Sequence, residues 1–212
     1  MNKLPVGLYV ITDNQLIPEG TLLDRVAQAI AGGAVLVQYR GKLSTREARY
    51  RDALSLVTLC AQRDVPLIIN DDVELARSVG AHGVHLGRHD ASIRQARSRL
   101  GPQALIGISC YNRLELARQA AREGADYVAF GRFFASKTKP DAVPAQPSLL
   151  HQARQAIDLP IAAIGGIMPE NGGELVTAGA TLLAVIHGVF GQPDVTAAAR
   201  KYAALFEGEH ER

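Results

Sequence analysis

The chain has 212 residues, 47% of them hydrophobic, with a formal net charge of +2, two cysteines and no Trp. A chain of that length suits one domain and buries roughly 70% of its unfolded surface, so it needs neither disulfides nor a structural metal to fold. The near-neutral balance, with no long block of one sign, argues against nucleic-acid or membrane binding through charge, and the lack of aromatic–basic alternation argues against a single-strand platform.

The N-terminal run MNKLPVGLYVITD is too short for a signal core and lacks a small-residue cleavage site. No apolar stretch approaches ~20 residues, so no membrane span is expected. Cys60 and Cys110 sit inside apolar runs, which points to a reduced, cytoplasmic protein.

In chain order, short continuous apolar runs alternate with longer periodic segments. GLYVIT (7–12) reads as the first strand, and 21–33 as a helix with Leu22, Leu23, Val26, Ala27 and Ile30 along one stripe. VLVQYR (35–40) is the second strand. The helix over 44–64 opens on Ser44 with Glu47 three residues later, a capping-box pattern. PLIIND (66–71), GVHL (83–86), LIGISC (105–110), YVAFGR (127–132), PIAAIG (160–165) and LLAVIHG (182–188) complete eight strands, and 113–124 and 194–208 are further helices. Strands that are apolar throughout are expected where both faces are buried.

A weak repeat supports the alternation. Helices end in Gly33-Ala34, Gly80-Ala81, Gly124-Ala125 and Gly179-Ala180, where glycine takes a left-handed conformation without a Cβ clash. The irregular stretch KTKPDAVPAQP (137–147) reads as a functional loop. Eight βα units at about 26 residues each predict one α/β domain over residues 1–212, a single (β/α)8 TIM barrel. An open doubly wound sheet is the alternative, and no GxGxxG follows the first strand to support it.

Barrel active sites are built at strand C-termini. Strand 2 ends in Gln38, Arg40 and Lys42, strand 3 in Asn70, Asp71 and Asp72, and strand 4 runs into His85, Arg88, His89 and Asp90. Strand 5 ends in Ser109, and Ser136, Lys137, Thr138 and Lys139 follow strand 6. Strands 7 and 8 end in Gly165-Gly166 and Ile186-His187-Gly188, the loops with which barrels often bind phosphate. Asp71 and Asp90 follow neighbouring strands and can face one mouth. Two carboxylates there repel unless a cation lies between them or one is protonated. Hard oxygen ligands beside a polyphosphate suit Mg2+. The plainer alternative is that each aspartate caps the helix after it. A zinc site on His82, His85 and His89 is disfavoured, because His82 and His85 have opposite strand parity. Cys110 reads as a small core residue rather than a nucleophile.

These residues resemble thiamine phosphate synthase (thiamine-phosphate pyrophosphorylase). The resemblance spans YVITD (9–13) to VIHGVF (185–190) and rests on QYRGK (38–42), NDD (70–72), HGVHLGRHD (82–90), GIS (107–109), SKTK (136–139) and AIGGI (163–167) in that order. It implies a transferase that joins 4-amino-2-methyl-5-hydroxymethylpyrimidine diphosphate to a carboxylated or plain hydroxyethylthiazole phosphate, with Mg2+ on the leaving diphosphate. By motif, Asp71 and Asp90 would hold the metal. Gln38, Tyr39, Arg40, Gly41, Lys42, Asn70, Ser109 and Lys139 would bind the pyrimidine diphosphate, with Arg40, Lys42, Ser109 and Lys139 nearest the chemistry. Ser136, Lys137, Thr138, Gly166, Ile186 and His187 would hold the thiazole phosphate. The chain departs from the family pattern at Gly41, commonly Glu; Arg88, commonly Gln; Ser136, usually Thr; and His187, frequently Ser.

The nearest rival is a thiazole tautomerase-like barrel, whose acid/base histidine would stand at Tyr111; a phenol with pKa near ~10 is a poor base at neutral pH. A non-catalytic regulator that binds thiamine precursors is the rival from another class. Only small-molecule partners are implied. A homo-oligomer is compatible with the sequence and not required by it.

Overall fold

Period-2 alternation divides each strand into an inward and an outward set, and helices cover the outward one. The computed structural model describes residues 4–42, 44–135 and 143–207. Eight parallel strands pair in sequence order and close into a barrel: β1 (Gly7–Ile11), β2 (Ala34–Tyr39), β3 (Leu67–Asn70), β4 (Gly83–Leu86), β5 (Leu105–Tyr111), β6 (Tyr127–Phe130), β7 (Ile161–Ile164) and β8 (Leu182–Val185). Closure is direct, with Tyr9 of β1 opposite Ala184 of β8. The fold is therefore a TIM barrel, and all eight strands read from the sequence are present.

Around it lie α1 (Leu22–Ala31), α2 (Arg46–Ala61), α3 (Val73–Val79), α4 (Ile93–Leu100), α5 (Leu114–Glu123), α6 (Ser148–Ala156), α7 (Pro169–Thr177), the single turn α8 (His187–Phe190) and α9 (Val195–Ala203). Two apolar cores result. Tyr9, Leu36, Ile68, Leu105, Tyr127 and Leu182 fill the interior. Val10, Val37, Ile69, Val84, Val128 and Leu183 belong to the larger cluster shared with the helices. Among the described residues no helix is long and apolar enough to cross a membrane.

All four expected Gly-Ala helix ends have positive φ at the glycine, from 70° at Gly80 to 113° at Gly179. The Ala81 and Ala125 amides then reach back to the carbonyls of Ala76 and Ala120, which satisfies the last turn. The α2 cap differs from expectation. Thr45, not Ser44, is the cap residue, its hydroxyl accepting the Ala48 amide at 3.2 Å. Ser44 instead accepts Asn14 Nδ2 at 3.0 Å, tying the β2–α2 loop to the β1–α1 loop.

Candidate active site at the strand C-termini

The mouth inherits the parity of the strands. On β2, Gln38 turns inward and is 2% exposed, whereas Tyr39 turns outward into the core shared with the helices. The Tyr39 hydroxyl donates to Asp52 Oδ2 of α2 at 3.0 Å. Tyr39, expected with the rest of 38–42 at the pyrimidine diphosphate, thus has its side chain on the helix side of the strand, because a strand cannot present consecutive residues to one face. Gly41 follows from the same packing. A Cβ there would run into the Tyr39 hydroxyl.

Arg40 is held at the rim by a residue that the reading of strand ends began too late to include. Its Nη1 lies 2.8 Å from Asp13 Oδ2, with side chains only 16% and 10% exposed. Thr12 Oγ1 accepts the Arg40 amide at 2.9 Å. Asp13 Oδ1 also takes the Gln15 amide at 2.9 Å, so the end of β1 is ordered around one carboxylate. Fixing a guanidinium this way directs its remaining donors as a preset fork, the geometry that suits phosphate oxygens.

Asp71 and Asp90 do come together, at the ends of β3 and β4. Burial, and after it the neighbouring Asp90 carboxylate and a hydrogen bond shared with it, raise the pKa of Asp71; Lys42 and a hydrogen bond from Asn70 pull it down. The capping alternative does not hold for either residue. Asp72 caps α3, accepting the Leu75 amide at 2.8 Å, and Ser92 caps α4 in a capping box with Gln95. Asp71 itself sits at φ 65°, a left-handed conformation that costs a side-chain-bearing residue energy. Its amide donates to the His85 carbonyl at 2.9 Å. Asp90 Oδ2 accepts the Gly87 amide at 2.6 Å, which fixes the β4 loop. Asn70, Asp71 and Lys42 line a cleft of about 650 Å³ beside α3 and α4.

Two hard carboxylates facing each other could hold a divalent cation that keeps most of its waters. No set of three or more His, Cys, Asp and Glu residues suited to a metal forms among the described residues. That donor set fits Mg2+, which takes one or two carboxylates plus substrate oxygens, better than zinc, which takes nitrogen or sulfur.

Below the rim a network of polar side chains crosses the interior. Gln38 Nε2 donates to the Tyr9 hydroxyl. Tyr9 and Tyr127 share a hydroxyl contact of 2.9 Å, His85 Nδ1 lies 3.0 Å from the Tyr127 hydroxyl, and His85 Nε2 lies 2.9 Å from Ser109 Oγ. His85 is thus the packed, hydrogen-bonded barrel residue expected of it. Gly107 is required here, since a Cβ would overlap the Tyr127 ring. Burial raises the pKa of both phenols, so the hydroxyls stay protonated.

On the opposite wall, Gly165 and Gly166 have φ 105° and 64°. A Cβ on Gly166 would also strike the backbone of Phe134 and Ala135, and the Phe134 amide donates to the Gly165 carbonyl at 3.0 Å. The pair is therefore demanded by the crossing of the β6 loop. Ile186 precedes α8, whose first residue is the exposed His187. Ser136, Lys137, Thr138 and Lys139 lie outside the described residues, as does most of the loop read over 137–147.

Burial pushes the thiols of Cys60 and Cys110 up to about 12, which leaves them inert at neutral pH. His82 Nδ1 accepts the Leu67 amide at 3.1 Å and is occupied in the backbone. Tyr111 is 40% exposed at the end of β5, and its hydroxyl accepts the Arg88 amide at 3.3 Å.

Comparison with known proteins finds similar sequences and a similar fold. A family model described as thiamine monophosphate synthase matches residues 8–189. Thiamine-phosphate synthase of Marinobacter nauticus is 53% identical over 211 residues, covering 99% of this chain and 95% of that protein. That of Nitrosococcus oceani is 52% identical over 200 residues, covering 94% and 92%. Among solved structures, thiamine phosphate pyrophosphorylase from Pyrococcus furiosus superposes with a TM-score of 0.87 at 35% identity, covering 97% of this chain and 96% of that one.

Proposed function

Because the chain belongs to the thiamine monophosphate synthase family, a family of transferases in thiamine biosynthesis, we propose that it joins 4-amino-2-methyl-5-hydroxymethylpyrimidine diphosphate to hydroxyethylthiazole phosphate, carboxylated or plain. The products are thiamine phosphate and diphosphate, with carbon dioxide from the carboxylated thiazole. The observation that carries this reading is the Asp71–Asp90 pair, freed from helix capping and set beside Lys42.

Asp71 and Asp90 would hold Mg2+, which when bound neutralises charge on the departing diphosphate. Arg40 and Lys42 bind the same group. Lys42 offers a point charge at the cleft, and Arg40 offers a fork already aligned by Asp13. The bond from the pyrimidine methylene to the diphosphate oxygen breaks with its electron pair, and the 4-amino group stabilises the resulting cation. The thiazole nitrogen lone pair then forms the new carbon–nitrogen bond. No strong base is needed for this step. Rate comes from charge stabilisation in a preorganised site and from alignment of two fragments. The motif assigns Ser136, Lys137, Thr138, Gly166, Ile186 and His187 to the thiazole phosphate and Lys139 to the pyrimidine diphosphate.

A turnover assay tests the reading. Purified protein is mixed with both fragments and Mg2+, and thiamine phosphate is detected as its fluorescent oxidation product. Product formation is expected. Tight binding of both fragments without product would instead mark a regulator.

A further inference from the structure

Gln38 and Ser109 stand on β2 and β5, on different walls of the barrel, yet one chain of hydrogen bonds joins them through its centre. The links are Gln38 to Tyr9, Tyr9 to Tyr127 at 2.9 Å, Tyr127 to His85 at 3.0 Å and His85 to Ser109 at 2.9 Å. We propose that Tyr9, Tyr127 and His85 are positioning residues that set Gln38 and Ser109 jointly, as one donor–acceptor unit, against the neutral ring of the substrate. The proposal rests on the pyrimidine assignment made above.

Each hydroxyl in the chain has one hydrogen to give, and a neutral imidazole has one N–H. When Gln38 donates to Tyr9, Tyr9 donates to Tyr127, Tyr127 to His85 Nδ1, and His85 Nε2 to Ser109. The Ser109 hydrogen is then left for the mouth, and so is the Gln38 carbonyl oxygen. Turning the Gln38 amide over, so that its oxygen accepts from Tyr9, reverses every link, and Ser109 would then offer a lone pair and Gln38 its amide hydrogens. The two ends cannot choose independently. An aminopyrimidine edge presents an N–H donor and a ring-nitrogen acceptor together, which matches the first setting.

Location supports this use. Tyr9 is 1% and Tyr127 0% exposed, and Gln38 is 2% exposed. A five-member polar chain in a barrel core is costly unless every member is satisfied, and two phenylalanines would fill the same volume. The charged groups, Arg40, Lys42, Asp71 and Asp90, belong to the rim loops, while the five residues of the floor chain include no carboxylate, Lys or Arg. A neutral ring on the floor with its diphosphate at the rim is the arrangement this division suits.

The test is a coupling measurement. Dissociation constants of the pyrimidine diphosphate with Mg2+ are measured for wild type, Gln38→Ala, Ser109→Ala and the double variant, then for the same four in a Tyr127→Phe background. With Tyr127 present, the double variant is expected to lose clearly less than the product of the two single effects. With Phe at position 127, the effects should multiply. Tyr127→Phe alone should weaken the pyrimidine roughly tenfold, the scale of one lost buried hydrogen bond, while KM for the thiazole phosphate stays unchanged. Tyr9→Phe, which cuts the chain elsewhere, should behave alike and guards against a folding defect in one variant. Independent effects in both backgrounds, with wild type still making thiamine phosphate, would overturn the relay alone. A wild type that neither binds the pyrimidine diphosphate nor makes thiamine phosphate would overturn the underlying assignment together with the relay.

Discussion

The carboxyl group of Asp71 shares a hydrogen bond with that of Asp90, while the neighbouring Asp72 and Ser92 do the capping of the helices that follow. Two acids brought together, neither of them capping a helix, are a destabilising feature that a cation would relieve.

Asp71 has a raised pKa, caused first by burial and then by Asp90. A carboxyl raised in the folded state binds its proton more tightly there than in the unfolded chain. Its contribution to stability is therefore full at low pH and is lost as pH rises through the folded pKa. At neutral pH without Mg2+, Asp71→Asn should raise the melting temperature, since Asn also tolerates left-handed φ. Mg2+ with diphosphate should raise the melting temperature of wild type and leave that of the variant nearly unchanged. Calorimetric scans of both proteins with and without the ligands check this.

Asp13 is predicted to matter through Arg40. Asp13→Ala leaves a guanidinium that is 16% exposed without its carboxylate and frees the Gln15 amide. A cost of roughly 2–3 kcal/mol is expected, below the limit for a fully buried pair. Denaturant unfolding gives the stability. Steady-state kinetics should show a higher KM for the pyrimidine diphosphate, and Arg40→Lys should fail to restore the bidentate fork.

Gly41 is packed against Tyr39, which leaves no room for a side chain. Gly41→Ala should destabilise by about 1–2 kcal/mol through overpacking against Tyr39. Removing the obstructing oxygen should relieve part of it, so Tyr39→Phe/Gly41→Ala should cost less than the sum of the two single effects. Urea midpoints of the two single variants and the double variant decide the matter.

Much of the fold was legible because burial on both faces leaves an unmistakable run of apolar letters, and eight such runs separated by helical segments specify a barrel. The Asp71–Asp90 pair was legible for a similar reason, since adjacent parallel strands place their ends side by side. The side chain of Tyr39 faces away from Gln38 and Arg40, a difference that strand parity alone makes legible. Asp13 was missed because the strand ends were read from the second strand onward, and YVITD carries it in plain view. The Tyr9–Tyr127 contact was not legible. The residues are 118 positions apart, both read as ordinary strand aromatics, and only closure of the barrel brings their hydroxyls to 2.9 Å.

The most direct test of the central claim, that Asp71 and Asp90 hold the cation that stabilises the leaving diphosphate, is the Mg2+ dependence of thiamine phosphate formation in wild type and Asp90→Ala. Wild type should show saturable dependence and lose turnover when the metal is chelated. Asp90→Ala should fold, with a stability cost of about 1 kcal/mol for the lost Gly87 bond, yet turn over at least about a hundredfold more slowly at any Mg2+ concentration. Undiminished turnover by chelated wild type, or by Asp90→Ala, would contradict the account.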